Sequence, residues 1–215
     1  MRSEATVFVV DDEPSVLRAI ARLLRSSGFN VQTFRSPQEF LDGYDPNGPG
    51  CLVLDVAMPG LSGLDLQEAL LSRGIELPIV FLTARGDIPM SVEAMKRGAV
   101  DFLQKPASGD KLLQAIQAGI DRDVSNRLAK ADRSGFEQRL ATLTAREKEV
   151  FRHIISGKPN KQVAADLGVV EKTIKVHRGR IMTKMKVQSL ADLVRVSERV
   201  GIKPAAGASR IATPG

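Results

Sequence analysis

Disulfide-forming cysteines and long apolar runs are missing from this sequence of 215 residues. Cys51 is its single cysteine, so no disulfide forms within the chain, and a reducing compartment fits this usage. No apolar stretch approaches the roughly 18–20 residues of a membrane span. Ala5–Val10 is followed by two acids and not by a signal-peptide pattern. These absences predict a cytoplasmic protein with no membrane partner.

The net charge of +6 is unevenly distributed along the chain. Met1–Ile120 carries 11 basic and 15 acidic residues, Asp121–Arg139 carries 5 and 4, and Leu140–Gly215 carries 15 and 6. An acidic first part and a basic last part indicate two domains with separate tasks. The basic part is suited to an anionic polymer, although a solvated surface position is the simpler interpretation of most single Lys and Arg residues.

Strand and helix patterns alternate over the first part of the chain. Helices with apolar residues at helical spacing separate the strands; the second opens with a capping box at Ser36, and the fifth follows Ser108. This alternation predicts a doubly wound parallel sheet. The five strands are predicted at Thr6–Val10, Phe29–Phe34, Leu52–Leu54, Pro78–Leu82 and Val100–Leu103.

Acidic residues directly follow two of these strands. Asp11 and Asp12 come after the first strand, and Asp55 comes after the third. Helix capping is the simpler interpretation of one such acid. If the two strands are neighbours, however, three carboxylates converge at the edge where open α/β sheets bind ligands. Their mutual repulsion is relieved by a hard cation, and Mg²⁺ prefers oxygen ligands.

Polar residues also end the fourth and fifth strands. Thr83 offers a hydroxyl group and Lys105 an ammonium group. Each alone is a weak signal, but together with the three acids they form a set suited to phosphoryl transfer. A carboxylate attacks, the hydroxyl donates a hydrogen bond, and the cations offset charge on the phosphoryl oxygens.

The basic end of the chain has the pattern of a small helical domain. Gly168 is placed as the turn glycine of a helix-turn-helix, and the basic helix that follows it is suited to the major groove of DNA. Ile174, Ile181 and Met185 are expected to face inward, and Met182 is also interpreted as core. The four helices are predicted from the capping box Thr144–Glu147 to Gly157, at Asn160–Asp166, at Glu171–Met185 and at Ser189–Val200.

These patterns predict an α/β fold class with an appended all-α domain. Residues 1–122 form a (βα)5 doubly wound domain, 140–203 form a four-helix helix-turn-helix domain, and 204–215 form a disordered tail rich in Ala, Gly and Pro. Residues 123–139 are interpreted as an interdomain linker that is partly helical and interrupted at Ser134-Gly135.

The residues of the first domain resemble the receiver domain of two-component response regulators over about residues 5–122. The resemblance rests on Asp11-Asp12, Asp55, Met58-Pro59-Gly60, Thr83-Ala84 and Lys105-Pro106.

This resemblance implies a role for each residue. Asp55 is the expected phosphoacceptor and Lys105 pairs with the phosphoryl group. Thr83 and Phe102 form the switch pair, with Phe102 lacking the hydroxyl of the tyrosine often found there. The Lys105–Pro106 bond is expected to be cis. The implied ligands of Mg²⁺ are Asp12 and Asp55 directly, Asp11 through water, and the carbonyl of Ala57.

The residues of the last domain resemble the LuxR-type helix-turn-helix over about residues 140–200. The match rests on Leu143-Thr144-Ala145-Arg146-Glu147, on Asn160-Lys161 and on Thr173–His177. Together with a receiver it places the chain in the FixJ/NarL group. The implied DNA-binding residues are Lys161, Lys172, Thr173, Lys175, Val176, His177, Arg178 and Arg180; for His177, a structural role is an equal alternative.

One residue departs from that family pattern. Val170 stands where the family usually has Ser or Thr as the cap of the recognition helix. Valine cannot accept the free N–H groups of the first turn, at a cost of about 1 kcal/mol. It also removes a phosphate contact, so either DNA affinity falls or other groups compensate.

The function implied by both resemblances is that of a transcription factor controlled by phosphorylation. A sensor histidine kinase donates the phosphoryl group to Asp55, and the surface around Ile88–Asp101 then drives homodimerisation or releases the DNA-binding part. RNA polymerase is a further candidate partner. One alternative is constitutive DNA binding with a vestigial receiver. Another is a Mg²⁺-dependent phosphohydrolase, which is disfavoured because Asp11-Asp12 is not an Asp-x-Asp motif.

Overall fold

Five parallel strands form the centre of the N-terminal part, in the order β2-β1-β3-β4-β5. The computed structural model describes residues 5–45, 48–84 and 88–204, and the chain divides into two units, Met1–Leu128 and Ala129–Gly215. The predicted doubly wound sheet is confirmed. The strands are β1 (Thr6–Val10), β2 (Asn30–Phe34), β3 (Gly50–Leu54), β4 (Ile79–Thr83) and β5 (Asp101–Gln104).

The helices of this unit follow the strands in alternation. Ser36 caps α2 by accepting the Glu39 N–H, but the Glu39 carboxylate accepts the N–H of Arg35 and not that of Ser36, so the predicted capping box is only half formed. The ends of the strands differ from the sequence prediction by at most two residues, which is within the usual uncertainty of element ends. The helices are α1 (Pro14–Ser26), α2 (Pro37–Gly43), α3 (Gly63–Ser72), α4 (Ile88–Lys96) and α5 (Gly109–Ala141).

Both faces of the central strands are buried. All residues of β3 and β4 are buried. Alternate residues enter different clusters: Leu52 and Leu54 pack on one face of the sheet, and Cys51 and Val53 pack on the other. Because two layers of helices cover these faces, only the ends of the central strands are open to ligands.

The linker prediction was wrong in one respect. Helix α5 runs for 33 residues without a break, through the segment where an interruption at Ser134-Gly135 was expected. A glycine inside a helix costs about 1 kcal/mol relative to alanine. The fully buried ring of Phe136, 6.5 Å from that of Phe151, offsets this cost. Even so, no helix in the described ranges is both long and apolar enough to span a membrane.

The second unit is built from four further helices. The predicted capping box is present: Thr144 accepts the Glu147 N–H, and the Glu147 carboxylate accepts the Thr144 N–H. Gly168 adopts a positive φ of 64° in the turn before the third of these helices. They are α6 (Ala145–Ile154), α7 (Asn160–Asp166), α8 (Glu171–Met185) and α9 (Leu190–Arg199).

The core of this unit contains the residues expected to face inward. Ile174, Ile181 and Met185 are fully buried, whereas Met182 is only partly buried at the margin of the cluster. Of the predicted tail 204–215, only Pro204 lies among the described residues. The four-helix arrangement of the predicted DNA-binding part is therefore confirmed.

Gly119 is required by close packing of α5 on the sheet. A Cβ atom at this position would lie 2.6 Å from Cys51 Sγ, and that cysteine is fully buried. We therefore expect Gly119→Ala to lower the free energy of unfolding by about 1–3 kcal/mol, as overpacking does, despite the higher helix propensity of alanine. Denaturant unfolding followed by circular dichroism measures the change.

Gly135→Ala is the matched control, because its Cβ would meet only the flexible Arg139 side chain at 3.4 Å. This variant should be as stable as the wild type or gain up to about 1 kcal/mol. Adding Cys51→Ala to Gly119→Ala should recover part of the loss. Equal effects of the two glycine substitutions would contradict the packing argument.

Glu147 connects α6 to α8 through a buried ion pair. Lys184 Nζ lies 2.6 Å from Glu147 Oε2, and the carboxylate also accepts the Thr144 N–H at 2.8 Å. The hydrogen bond from Lys184, and then that from Thr144, lower the pKa of Glu147. A lowered carboxyl pKa gives stability that is present above the ordinary pKa and is lost as pH falls through the lowered value.

We accordingly expect Glu147→Gln to unfold at lower denaturant concentration than the wild type at neutral pH. The difference should shrink as pH falls below the ordinary glutamate pKa of about 4.3, where the unfolded chain binds a proton that the folded carboxylate still resists. Glu149→Gln is the control, since the Glu149–Arg146 pair is largely exposed and such pairs contribute little. A Glu147→Gln deficit that is constant with pH would show that the carboxylate charge is unimportant.

Candidate functional site

Strand pairing brings two of the predicted acids to one edge of the sheet. In the parallel pair of β1 and β3, Val10 is opposite Leu54, so Asp11 and Asp55 both follow directly at the carboxyl end. The Asp55 N–H donates to the Val10 carbonyl at 3.0 Å, and the Asp11 N–H donates to the Phe34 carbonyl at 3.2 Å. Both side chains are buried.

Lys105 joins these two acids from the far side of the sheet. It follows β5, and its N–H donates to the Thr83 carbonyl at 2.8 Å. Its Nζ lies 2.6 Å from Asp11 Oδ2 and 3.0 Å from Asp55 Oδ1. The expected cis bond between Lys105 and Pro106 is present.

The remaining oxygen of each carboxylate is held by the backbone. The Glu13 N–H donates to Asp11 Oδ1 at 2.9 Å, and the Ala57 N–H donates to Asp55 Oδ2 at 2.9 Å. Each acid thus has one oxygen on a neighbouring amide and one on Lys105. This arrangement fixes the orientation of both carboxylates before any ligand binds.

For both Asp55 and Lys105, burial and ion pairing shift the pKa in opposite directions. Burial raises the pKa of Asp55, and the hydrogen bond from Lys105 only partly compensates; the nearby Asp11 raises it further. Burial also disfavours the Lys105 cation, but the hydrogen bonds to Asp11 and Asp55 outweigh this, so the pKa of Lys105 is raised. Lys105 has two carboxylate partners, whereas Asp55 must share its one cation with Asp11, so pairing stabilises the charge of Lys105 more than that of Asp55. Asp55 is therefore more basic than an exposed aspartate, and Lys105 stays protonated.

The loop after Asp55 depends on a glycine whose importance the sequence did not reveal. A Cβ atom on Gly63 would lie 2.2 Å from the Asp55 carbonyl oxygen. The Gly63 N–H donates to the Val56 carbonyl at 3.0 Å, which folds the loop back on β3. Only the general loop-forming tendency of Pro59, Gly60 and Gly63 was visible in the sequence.

Asp123 is a further buried acid, and its role was not predicted from the sequence. Asp123 of α5 accepts the Gly50 N–H at 2.9 Å and the Arg127 Nε–H at 2.7 Å. It therefore anchors α5 at the start of β3, the strand that ends before Asp55. The only sequence signal was its spacing of four residues from Arg127, which is common on helix surfaces.

The other predicted residues of the first domain differ in how far they are buried. Asp12 is exposed directly after Asp11, and Ala57 is exposed after Asp55. Thr83 is fully buried at the end of β4. The Phe102 ring is half-buried, with its centroid 5.9 Å from that of Phe81.

Carboxylate and carbonyl oxygens are the donors that Mg²⁺ prefers, so this set fits the ion in kind. Within the described ranges, however, no three acidic, His or Cys side chains stand close enough together to hold a metal.

Helix α8 presents part of the predicted DNA-binding set to solvent. Lys172, Lys175, Val176 and Arg180 are exposed, and so is Lys161 of α7. Residues 172, 176 and 180 are spaced by four, so they lie along one side of the helix. Val176, which lies among these cations, is 48% exposed.

The rest of that set is involved in the structure of the unit itself. Thr173, His177 and Arg178 are partly buried. Arg178 Nη1 donates to Asn160 Oδ1 at 3.2 Å, and His177 Nδ1 is buried with no hydrogen-bond partner in the described residues. Val170 is the N-cap of α8, 68% exposed and without a side-chain cap bond, as its sequence predicts.

Comparison with known proteins identifies both units. Residues 7–117 match the response regulator receiver domain, and residues 141–197 match bacterial regulatory proteins of the luxR family. Nodulation protein W of Bradyrhizobium diazoefficiens is 48% identical over 93% of this chain and 88% of its own. The transcriptional regulatory protein FixJ of Azorhizobium caulinodans is 40% identical over 95% and 97%.

A solved structure agrees over nearly the whole length. The response regulator StyR has a TM-score of 0.82 and 48% identity, covering 92% of this chain and 100% of that one. The chain therefore belongs to the two-component response regulators in which a receiver domain is joined to a LuxR-type DNA-binding domain.

Proposed function

We propose that Asp55 is the phosphoacceptor of this response regulator. The observation that carries the proposal is the contact between the buried Asp55 carboxylate and Lys105, 3.0 Å apart at the carboxyl edge of the sheet. A receiver domain implies a sensor histidine kinase as partner, and a LuxR-type domain implies DNA. Members of this family are generally not enzymes, so we infer one phosphorylation of Asp55 for each activation and slow self-dephosphorylation.

In the transfer, an Asp55 oxygen forms a bond to phosphorus as the bond from phosphorus to the kinase histidine breaks. The electron pair of the broken bond stays on the imidazole. Lys105 offsets the negative charge on the phosphoryl oxygens, and the Ala57 N–H keeps the second Asp55 oxygen oriented. Receiver domains of this family typically use Mg²⁺. Here Asp12, Asp55 and the Ala57 carbonyl would hold the ion directly and Asp11 through water, and it would supply further charge neutralisation.

The proposed response passes through Thr83 and Phe102. Thr83 ends β4 beside the acids, and Phe102 lies in β5 against the core. The Thr83 hydroxyl moves toward the phosphoryl group, and the Phe102 ring turns further inward. The surface around Ile88–Asp101 then promotes a homodimer or releases the DNA-binding unit, and RNA polymerase is a further proposed partner.

The proposed DNA contacts lie on the exposed side of α8. Lys172, Lys175, Val176 and Arg180 enter or border the major groove, and Lys161 contacts the phosphate backbone. Thr173, His177 and Arg178 are retained as proposed contacts, although their partial burial leaves them less surface for DNA. Affinity comes mainly from phosphate neutralisation, and sequence is read by the few side chains that reach base edges.

Asp55→Asn should abolish labelling by radioactive acetyl phosphate in the presence of Mg²⁺, because an amide oxygen cannot form the acyl phosphate. Asp110→Asn, at an exposed position in the first turn of α5, is the control and should be labelled like the wild type. Undiminished labelling of Asp55→Asn would place the acceptor elsewhere.

Occupancy of the Asp55 site should change the assembly of the chain. Sedimentation with Mg²⁺ and beryllofluoride is expected to show a dimer or a more extended monomer. A DNA titration under the same conditions is expected to show tighter binding. If sedimentation and DNA affinity are the same with and without beryllofluoride, the chain is a constitutive DNA-binding protein with a vestigial receiver.

Lys175→Ala should weaken binding to a DNA site selected from a random-sequence pool by about 1–3 kcal/mol, or roughly 5–150-fold, if Lys175 contacts a base. If it contacts only phosphate, binding to all sequences should weaken and the salt slope should fall by about 1. Lys148→Ala is the charge-matched control, at an exposed position of α6. Mobility-shift titrations at several salt concentrations measure both effects, and wild-type behaviour of Lys175→Ala would remove that residue from the interface.

A further inference from the structure

A concentration of positive charge in the receiver has no part in the function described so far. Between Glu13 and Glu39 the chain contains four arginines and no acidic residue, although Met1–Ile120 as a whole has more acids than bases. Three of these arginines, Arg18, Arg22 and Arg25, lie on α1. Arg35 follows β2.

The four arginines line one concave surface, which we call the arginine groove. It lies between α1 and the edge strand β2 and encloses about 700 Å³, within the range of small-molecule sites. Its lining includes the apolar residues Leu17 and Ala21 of α1, and it is polar on the side of Thr33. It contains none of the residues around Asp55 and Lys105.

The carboxylates of the described residues do not neutralise these cations. In the residues that the structure describes, none of the four guanidinium groups forms an ion pair with a carboxylate. Glu39 is the one acid lining the groove, and its Oε2 accepts the backbone N–H of Arg35 at 2.6 Å. Arg25 Nη2 makes one long contact of 3.5 Å to the Val31 carbonyl. Most of the guanidinium donors therefore remain available to a ligand.

The spacing of the arginines sets the size of a complementary anion. Arg18, Arg22 and Arg25 recur at i, i+4 and i+7, so they form a row that extends about 10 Å along α1. Arg35 lies on the opposite wall. Guanidinium groups bind phosphate oxygens in bidentate fashion, and a row of this length is better matched by linked phosphates than by a single phosphate.

We propose that the arginine groove binds an oligophosphate anion, meaning a small ligand with two or more linked phosphate groups. The phosphates lie along the α1 arginines and meet Arg35 from the other side. The apolar lining at Leu17 and Ala21 gives room for an organic group attached to the phosphate chain. Both inorganic polyphosphate and a nucleoside polyphosphate have this chemistry.

The test is calorimetric titration of the full-length protein with inorganic tripolyphosphate and, separately, with ATP, without Mg²⁺ and at physiological ionic strength. Arg22→Gln/Arg25→Gln should weaken tripolyphosphate binding at least five-fold. The charge-matched control is Arg73→Gln/Lys130→Gln, in which both positions are exposed and outside the groove; it should bind like the wild type. Tighter binding of ATP than of tripolyphosphate would identify a nucleotide as the source, and equal binding would identify the phosphate chain alone.

Three results would overturn the proposal: no saturable binding, equal binding by the wild type and the Arg22→Gln/Arg25→Gln variant, or equal weakening by the control. The second would locate binding on the basic C-terminal unit. A loss of DNA affinity in the groove variant as large as in Lys175→Ala would make the groove a DNA contact instead. Labelling by acetyl phosphate should persist in the groove variant, so failure here is distinguishable from failure of the phosphoacceptor assignment.

Discussion

One ammonium group shared by two buried carboxylates determines the character of the receiver site. Lys105 reaches Asp11 and Asp55 from the opposite half of the sheet, so the site exists only when β1, β3 and β5 are all in register. One cation cannot fully neutralise two acids, and the site therefore retains a net negative charge in a buried setting. Such a site favours a further cation, and in the proposed transfer the phosphoryl group would meet Lys105 already protonated and oriented.

The same arrangement recurs at the other buried acids. Asp123 combines the Gly50 N–H with Arg127, and Glu147 combines the Thr144 N–H with Lys184. In each case the carboxylate accepts a hydrogen bond from a backbone amide and a cation balances its charge, as burial requires. Asp123 and Glu147 each have a cation to themselves and fasten helices, whereas Asp11 and Asp55 share one cation.

Local sequence patterns sufficed for the sheet, its order of elements and the meeting of Asp11, Asp55 and Lys105. Parallel strands that end in polar residues must bring those residues to one edge, because the register of the sheet leaves no other arrangement. The continuity of α5 was not predictable in this way, since the burial of Phe136 against another helix outweighs the local cost of Gly135. The contact of Asp123 with Gly50 spans 73 residues, and the crowding at Gly63 involves a carbonyl oxygen. Neither of these two contacts produces a periodic pattern in the sequence.

The uncapped start of α8 makes the stability of the recognition helix depend on its surroundings. Val170 offers no side-chain acceptor, and only its carbonyl is used, by the Thr173 N–H at 3.0 Å. The amides of Glu171 and Lys172 consequently donate no bond to the cap side chain, a condition in which the first turn of a helix frays and exchanges hydrogen readily. An anion that binds at these N–H groups also stabilises the ordered form of this turn. With valine at the cap position, part of the ordering of the helix therefore depends on the binding of such an anion.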